Sequence, residues 1–479
     1  MDKNEKNAAL KTEQTPVKGV DKFKTNFGFL MAAVGSAVGL GNIWGFPFKM
    51  GKGGGFAFLL IYLILVVLVG YPILLGEISL GRKSGKGAIF AYRDADKRFT
   101  FNGWFAALAP VFLICFYVTL GGYVCKYMIA NLMDLLSLGW GVGGMESGEF
   151  FGSFISSGTE AVLFGFFFLA LTTYIVLHGA SGIEKFATTA MPALYVILII
   201  LAIRSLTLPG AMKGVEYMFK PNWEVFKGSG WITVLASAGG QMFFSLSLSS
   251  GCMISFGSYL DKNENLEKNA RIIPIYDTSA ALLAALVVLP AVFAYGLEPG
   301  GGPGLLFVTL QTVFNKMGVW GSLFGFVFYF LVFIAALTSS MGMMEGTVSP
   351  MKDLMEAKGI ALGRTGITLI FTAIAAAGST LISLDALGGN PAIKHIFGFG
   401  DWLTTFDLFA EGFLMPLGAF FLAILFGWIK TGWLDEEIQL SSEFRNKAFF
   451  HFTLKWIVPL FMAFVLIGQL NDFFAWGLF

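Results

Sequence analysis

The chain has 479 residues, of which 56% are hydrophobic and only 13% are Asp, Glu, Lys or Arg, and its formal net charge is +1. A soluble domain carries about a quarter charged residues, so this composition excludes an ordinary soluble enzyme, and the near-neutral balance excludes nucleic acid as a partner. The apolar residues arrive in runs of about 20 or more, the length that crosses a bilayer, and the chain reads as an all-α polytopic membrane protein.

Residues 1–24 are polar and lysine-rich and lack the short apolar core of a cleaved signal peptide, so they read as a cytoplasmic N-terminal tail. Hydropathy then predicts about eleven transmembrane helices, near 26–48, 55–80, 101–135, 161–179, 186–207, 231–258, 272–296, 320–346, 365–384, 403–428 and 449–475. The loop after the second span holds Arg82, Lys83, Lys86, Arg93, Lys97 and Arg98, whereas the loop after the third holds Glu146 and Glu149 and no Lys or Arg. The positive-inside rule therefore places the N-terminus in the cytoplasm. Cys115, Cys125 and Cys252 all fall in apolar runs, which predicts no disulfide framework.

Two spans are chemically odd. The first contains "VGSAVGLGN", Val34 to Asn42, and the sixth contains "FFSLSLSSGC", Phe243 to Cys252. The first could serve close helix packing alone, since Gly35-xxx-Gly39 is a small-xxx-small pattern. Matching interruptions in two halves point instead to broken helices around a transporter's substrate site. An odd number of spans per half makes the second half inverted. The predicted layout is a first five-helix repeat over 25–207, a second inverted repeat over 231–428, and an eleventh helix outside the repeat over 449–479.

Polar side chains inside apolar spans are functional candidates by default. Asn42, Glu77, Tyr117, Asp277 and the run Thr338, Ser339, Ser340 qualify. Thr338 and Ser339 suit Na⁺ as hydroxyl ligands, or else bond back to carbonyls of their own helix. Half-helix N-termini present free N–H groups to a carboxylate, and freed carbonyls suit an ammonium or Na⁺, so one broken site can take both ends of a zwitterion. His178, His395 and His451 are far apart and no nucleophile elbow is present, so no enzyme is expected. A channel would need a continuous polar pore; a sensor on the same scaffold would bind amino acid and Na⁺ without moving them.

"GSAVGLGNIWGFPF", "GGGFAFLLIYLILVVLVGYPILLGEISLGR", "FYVTLGGY", "GQMFFSLSLSSG", "ALTSSMGMM" and "FDLFAEGFLMPLG", in that order over about residues 25–430, resemble the neurotransmitter:sodium symporter family with the LeuT fold. The resemblance implies a Na⁺-coupled symporter of amino acids working by alternating access, a bacterial member of the inner (cell) membrane, with about two Na⁺ ions and no organic cofactor. It implies one Na⁺ site from Ala37, Asn42, Ser245 and Asp277, and a second from Gly35, Val38, Ala335, Thr338 and Ser339. Substrate carboxylate would meet Leu40, Gly41 and Tyr117; the amine would meet Ala37, Phe244, Ser245 and Ser247. Phe244 would lid the pocket, with Leu113, Ser250, Ser339 and Met343 facing a neutral, mostly hydrophobic side chain. Glu77 would steady the broken stretches.

The gates depart from the family pattern. Gly45 stands where an outer-gate arginine is usual, its acidic partner maps to Asp407, and Lys49 one turn on either pairs with Asp407 or leaves the gate without an ion pair. At the inner gate Val20 and Phe23 replace the usual Arg and Trp, leaving Lys22 or Lys24 to face Asp353. Asp277 supplies a fixed negative charge beside the first sodium, which predicts transport without chloride.

Overall fold

Backbone groups in a bilayer find no water, so each must be paired within its own segment, and every regular element of this chain is accordingly a helix among the described residues. The computed structural model describes residues 22–227, 230–299, 304–396, 399–474 and 476; most of the expected tail, and Val20 with it, lies outside them. The spans are α1 (Asn26–Ala37) and α2 (Gly41–Lys52), then α3 (Phe56–Ser84), α4 (Lys97–Leu135), α5 (Gly158–Leu177) and α6 (Gly179–Leu206). They continue as α7 (Gly230–Ser245) and α8 (Cys252–Ser258), then α9 (Leu266–Ala294), α10 (Gly321–Ala357), α11 (Arg364–Asp385), α12 (Trp402–Ile429) and α13 (Lys447–Asn471).

Nine of these are long and apolar enough to cross a membrane unaided, and α1 with α2 form a tenth, bent by 51°. The pair α7 and α8, interrupted over 246–251, occupies the place of the remaining span, which brings the count to the eleven expected. Both breaks fall inside the two stretches that composition marks as odd.

Several helices outrun their apolar runs. The expected fifth span begins at 186, yet α6 starts at Gly179, because Glu184 turns inward instead of marking the water boundary. Its carboxylate accepts from the Lys24 amide at 2.9 Å and the Thr25 hydroxyl at 3.1 Å, fixing the start of α1. Thr25 in turn caps α1 by accepting from the Gly28 amide at 2.9 Å. α10 runs on to Ala357, past the expected end at 346, carrying buried Glu345 into an ion pair with Arg364 at the start of α11.

α4 lies along α10, α8 packs on α3, and α1 is held between α6 and α10. α1 and α8 are buried within this set, whereas α5, α6, α11 and α13 turn large apolar residues such as Leu163, Ile200, Leu369 and Leu460 outward. Hydrophobicity all round a helix is what a bilayer-facing span requires. The interior is therefore where polar side chains collect, at the level of the two breaks.

Candidate functional site

The first break covers residues 38–40, between Ala37 and Gly41. Its amides are met one by one. The Val38 amide still reaches back to the Val34 carbonyl at 2.7 Å. The Gly39 amide donates to Asn42 Oδ1 at 2.9 Å, and the Leu40 amide donates to the Tyr117 hydroxyl at 3.0 Å. The Gly41 carbonyl accepts from Gln241 Nε2 at 2.7 Å, and the Ser36 carbonyl from the Ser247 hydroxyl at 3.0 Å. A side chain at Gly39 would run into Ser339 and Tyr117, so only glycine lets α1, α4 and α10 converge there.

The second break covers 246–251. Ser247, Ser249 and Gly251 all take positive φ, at 51°, 57° and 70°, a region that side-chain-bearing residues rarely enter. Glu77 on α3 accepts from the Ser249 amide at 3.1 Å, and the Ser250 hydroxyl donates to the Ser247 carbonyl at 2.7 Å. Glu77 is thus beside a broken stretch, as the family resemblance implies, and its Oε1 is buried without a hydrogen-bond partner among the described residues.

Between the breaks lies Asp277, fully buried on α9. Asn42 Nδ2 donates to its Oδ1 at 2.7 Å, the Ser245 hydroxyl lies 3.0 Å from both of its oxygens, and the Tyr62 hydroxyl reaches Oδ2 at 3.3 Å. The fold therefore joins Asn42, Ser245 and Asp277 from three spans far apart in sequence. Ala37 is on the same broken segment as Asn42 and is buried. No Lys or Arg side chain is a hydrogen-bond or ion-pair partner of this carboxylate among the described residues.

The second cluster forms where α1 crosses α10. Ser339 donates to the Gly35 carbonyl at 3.3 Å, and a Cβ on Gly35 would lie 3.2 Å from Thr338. Thr338 itself bonds back to the Ile334 and Ala335 carbonyls, at 3.1 and 3.0 Å. Val38 and Ala335 are buried on the same two segments. In this structure Thr338 bonds to its own helix and Ser339 reaches across to α1.

Leu113, Tyr117, Ser247, Ser250, Ser339 and Met343 are all buried. Leu40 and Gly41 open α2, and the Phe244 ring lies so close to Gly41 that a Cβ there would sit 2.7 Å from it.

The gates are arranged differently from the sequence expectation. Asp353 accepts from the Gly87 amide at 2.6 Å, and neither Lys22 nor Lys24 is among its hydrogen-bond or ion-pair partners. The Lys24 backbone is taken instead by Glu184. The Tyr259 hydroxyl and the Arg364 guanidinium both bind Glu345, giving this side of the bundle a buried charged cluster with no counterpart in the motif reading. On the other side the Lys49 charge acts on Asp407 and also on Glu411, but Lys49 forms no ion pair with either among the described residues, and Asp407 Oδ1 is buried without a hydrogen-bond partner among them. The space a side chain at Gly45 would enter is filled by Gln241, whose Oε1 would lie 2.9 Å from a Cβ there.

Sequence reasoning missed Tyr62, Gln241 and Glu411. Gln241 and Glu411 are polar residues inside apolar spans, the signal that found Asn42 and Asp277. Tyr62 carried no such signal, because tyrosine is ordinary in an apolar span.

Comparison with known proteins agrees with this architecture. The family model described as the sodium:neurotransmitter symporter family matches residues 20–146 and 159–477. An uncharacterized sodium-dependent transporter, YhdH of Bacillus subtilis, is 35% identical over 472 residues, covering 96% of this chain and 99% of the relative. Another uncharacterized sodium-dependent transporter, from Haemophilus influenzae, is 30% identical over 458 residues, covering 92% of this chain and 96% of the relative. The crystal structure of MhsT in complex with L-phenylalanine superposes with a TM-score of 0.84 at 33% identity, covering 94% of this chain and all of that one. Eleven spans with two matched breaks, the ordered motifs and these full-length likenesses lead to one conclusion: the chain belongs to the sodium:neurotransmitter symporter family, and it is a multi-pass, sodium-dependent membrane symporter with the LeuT fold.

Proposed function

We propose that this symporter carries a neutral, hydrophobic amino acid with two Na⁺ ions and needs no chloride. The observation that carries the reading is Asp277: a fully buried carboxylate with three neutral hydrogen-bond partners and no cationic side-chain partner among the described residues. A buried charge without a counter-charge is costly, and a small hard cation between Asn42, Ser245, Asp277 and the Ala37 carbonyl supplies one. The same carboxylate provides the negative charge that an anion would otherwise bring.

The second ion would lie between the carbonyls of Gly35, Val38 and Ala335 and the hydroxyls of Thr338 and Ser339. Substrate carboxylate would accept from the Leu40 and Gly41 amides and from the Tyr117 hydroxyl, which already lies against the Leu40 amide. The ammonium would take carbonyls of Ala37, Phe244 and Ser245 and the Ser247 hydroxyl. Leu113, Met343, Ser250 and Ser339 would surround the side chain with no formal charge, which disfavours charged substrates. That MhsT is solved with L-phenylalanine supports a hydrophobic side chain.

Joint occupancy would close the outer path, where Lys49, Asp407 and Glu411 meet, and rocking of the broken-helix bundle against the remaining spans would open the inner path by Asp353. The moving units would be the two inverted repeats, 25–207 and 231–428, with 449–479 outside them. The loop charges support a cytoplasmic N-terminus, and the membrane would be the bacterial cell membrane. Uptake of a labelled amino-acid panel into proteoliposomes tests this, with inward Na⁺, with K⁺ in place of Na⁺, and with gluconate in place of chloride. Uptake that requires Na⁺ and ignores chloride is expected; Na⁺-dependent binding without accumulation would indicate a sensor.

A further inference from the structure

On the lipid-facing side of the bundle, α5, α6 and α10 enclose a groove of about 660 Å³ that the transport reading does not use. Its floor is Ala190 and Ile334, both buried, and Phe330 and Phe333 form one wall. From Ser181 to Ala193 the groove follows α6 for about 18 Å at 1.5 Å per residue. Half of a typical hydrocarbon core is about 15 Å deep. The groove thus runs from headgroup level to mid-membrane and no further.

Its two ends differ chemically. The Ala193 end is wholly apolar, whereas the other end carries Ser181, Lys185 and His178, with the exposed Tyr174 ring edge-on to His178. Ser181 and Lys185 are four residues apart and share a face of α6. Lys185 is exposed, and its ammonium makes no hydrogen bond or ion pair among the described residues. Its neighbour Glu184 does not neutralise it, because that carboxylate faces inward to Lys24 and Thr25. A groove with an apolar length, an unpaired ammonium and a hydroxyl at one end, and aromatic rings at the interface matches a lipid with an anionic head.

We propose that this groove holds one acyl chain of an anionic phospholipid from the leaflet on the side of Lys24, with the phosphate bound by Lys185 and the Ser181 hydroxyl. Under the orientation proposed above this is the cytoplasmic leaflet, the anionic one. The chain would pack directly behind the second Na⁺ cluster. The Ile334 carbonyl on the groove floor accepts from Thr338, and Met191, next to Ala190, lies 3.2 Å from where a Gly35 Cβ would be. The lipid thereby braces the helices that bring Gly35 and Thr338 together.

Native mass spectrometry of the full chain in detergent, supplied with synthetic phosphatidylglycerol or phosphatidylcholine of equal chain length, tests the proposal. One phosphatidylglycerol should be retained per chain, and phosphatidylcholine at least tenfold less. Lys185→Glu should lower phosphatidylglycerol retention tenfold or more while Lys185→Arg keeps it, and Ala193→Phe, which fills the groove, should abolish retention of both lipids. Equal retention of the two lipids, or retention unmoved by Ala193→Phe, overturns the proposal. So does a dimer that Ala193→Phe dissociates, which would assign the groove to a second copy of the chain. Na⁺-driven uptake by the variants is measured separately, so failure of the transport reading leaves the lipid result standing.

Discussion

The gap in the first span, at 38–40, is shorter than the gap in the sixth, at 246–251, and the two are held open by different means. In the first, no residue takes a left-handed conformation, and the freed groups are met by side chains of Asn42, Tyr117, Gln241 and Ser247. Three of those four lie outside the first span, on α4, on α7 and in the sixth break. In the sixth, three residues sit at positive φ, the Ser250 hydroxyl meets the Ser247 carbonyl within the break, Glu77 pins one amide, and the Ser247 hydroxyl crosses to the Ser36 carbonyl of the first span. The first break therefore depends on where its neighbours stand, so relative motion of the helices changes its hydrogen bonding. The sixth takes its shape more from its own left-handed backbone. A transporter that binds ions and substrate at one level benefits from this division, since one wall of the site can respond while the other stays in register.

The largest expected effect sharpens that contrast at the backbone. A Cβ on Gly251 would lie 2.6 Å from the Ala106 carbonyl oxygen and 3.2 Å from that of Gly346, at a φ of 70°. Gly251→Ala combines backbone strain with overpacking against groups that cannot rotate away, and should cost roughly 2–5 kcal/mol of stability. Gly39→Ala meets side-chain atoms of Ser339 and Tyr117 and no backbone, so its cost should be about 1–3 kcal/mol. Thermal melts of both variants in the same detergent compare the breaks directly. Equal losses would remove the distinction between a locally built gap and a neighbour-built one.

Next in size is the group that faces both breaks. Asp277→Asn keeps the shape of the side chain and removes its charge, and the half-saturating Na⁺ concentration for uptake should rise tenfold or more, about 1.4 kcal/mol. An unchanged Na⁺ requirement would remove Asp277 from the ion site. Tyr117→Phe then tests the first break alone. It deprives the Leu40 amide of its acceptor at 3.0 Å, a loss of about 0.5–1.5 kcal/mol, and should weaken apparent substrate affinity between about twofold and tenfold with folding intact. No change in affinity would mean that this amide is satisfied by water and takes no part in binding.

The sequence makes the fold legible for a physical reason. In lipid, apolar length sets the spans, and helix-weakening residues there have no cheap explanation, so "GSAVGLGN" and "SLSLSSG" locate the breaks to within a turn. The polar cluster is legible in part for the same reason. Asn42 and Asp277 stand out against apolar neighbours, yet that they meet across 235 positions is a fact of packing. Span ends are less legible, because the helix around Glu184 continues through a charged residue that is buried and paired instead of solvated. The gates are least legible of all. Motif position offers Lys24 to Asp353, while the structure gives that carboxylate the Gly87 amide, a backbone group no composition pattern reveals.

The smallest expected effect concerns Tyr62, the partner of Asp277 that lies in neither break. Its hydroxyl is 3.3 Å from Oδ2, longer than a good O–H···O contact, whereas Ser245 from the edge of the sixth break lies at 3.0 Å from both oxygens. Removing a hydrogen bond to a charged group costs about 1.5–3 kcal/mol when the bond is well made, so Ser245→Ala should shift Na⁺ half-saturation by at least tenfold. Tyr62→Phe should shift it only about twofold, since the longer contact contributes less and Oδ2 keeps Ser245. A double-mutant cycle on the pair reads whether they act on the same carboxylate. If Tyr62→Phe proved the costlier change, the carboxylate would be anchored to α3 and not to the sixth break. The rigid wall of the site would then extend outside the broken helix, into the same helix that carries Glu77.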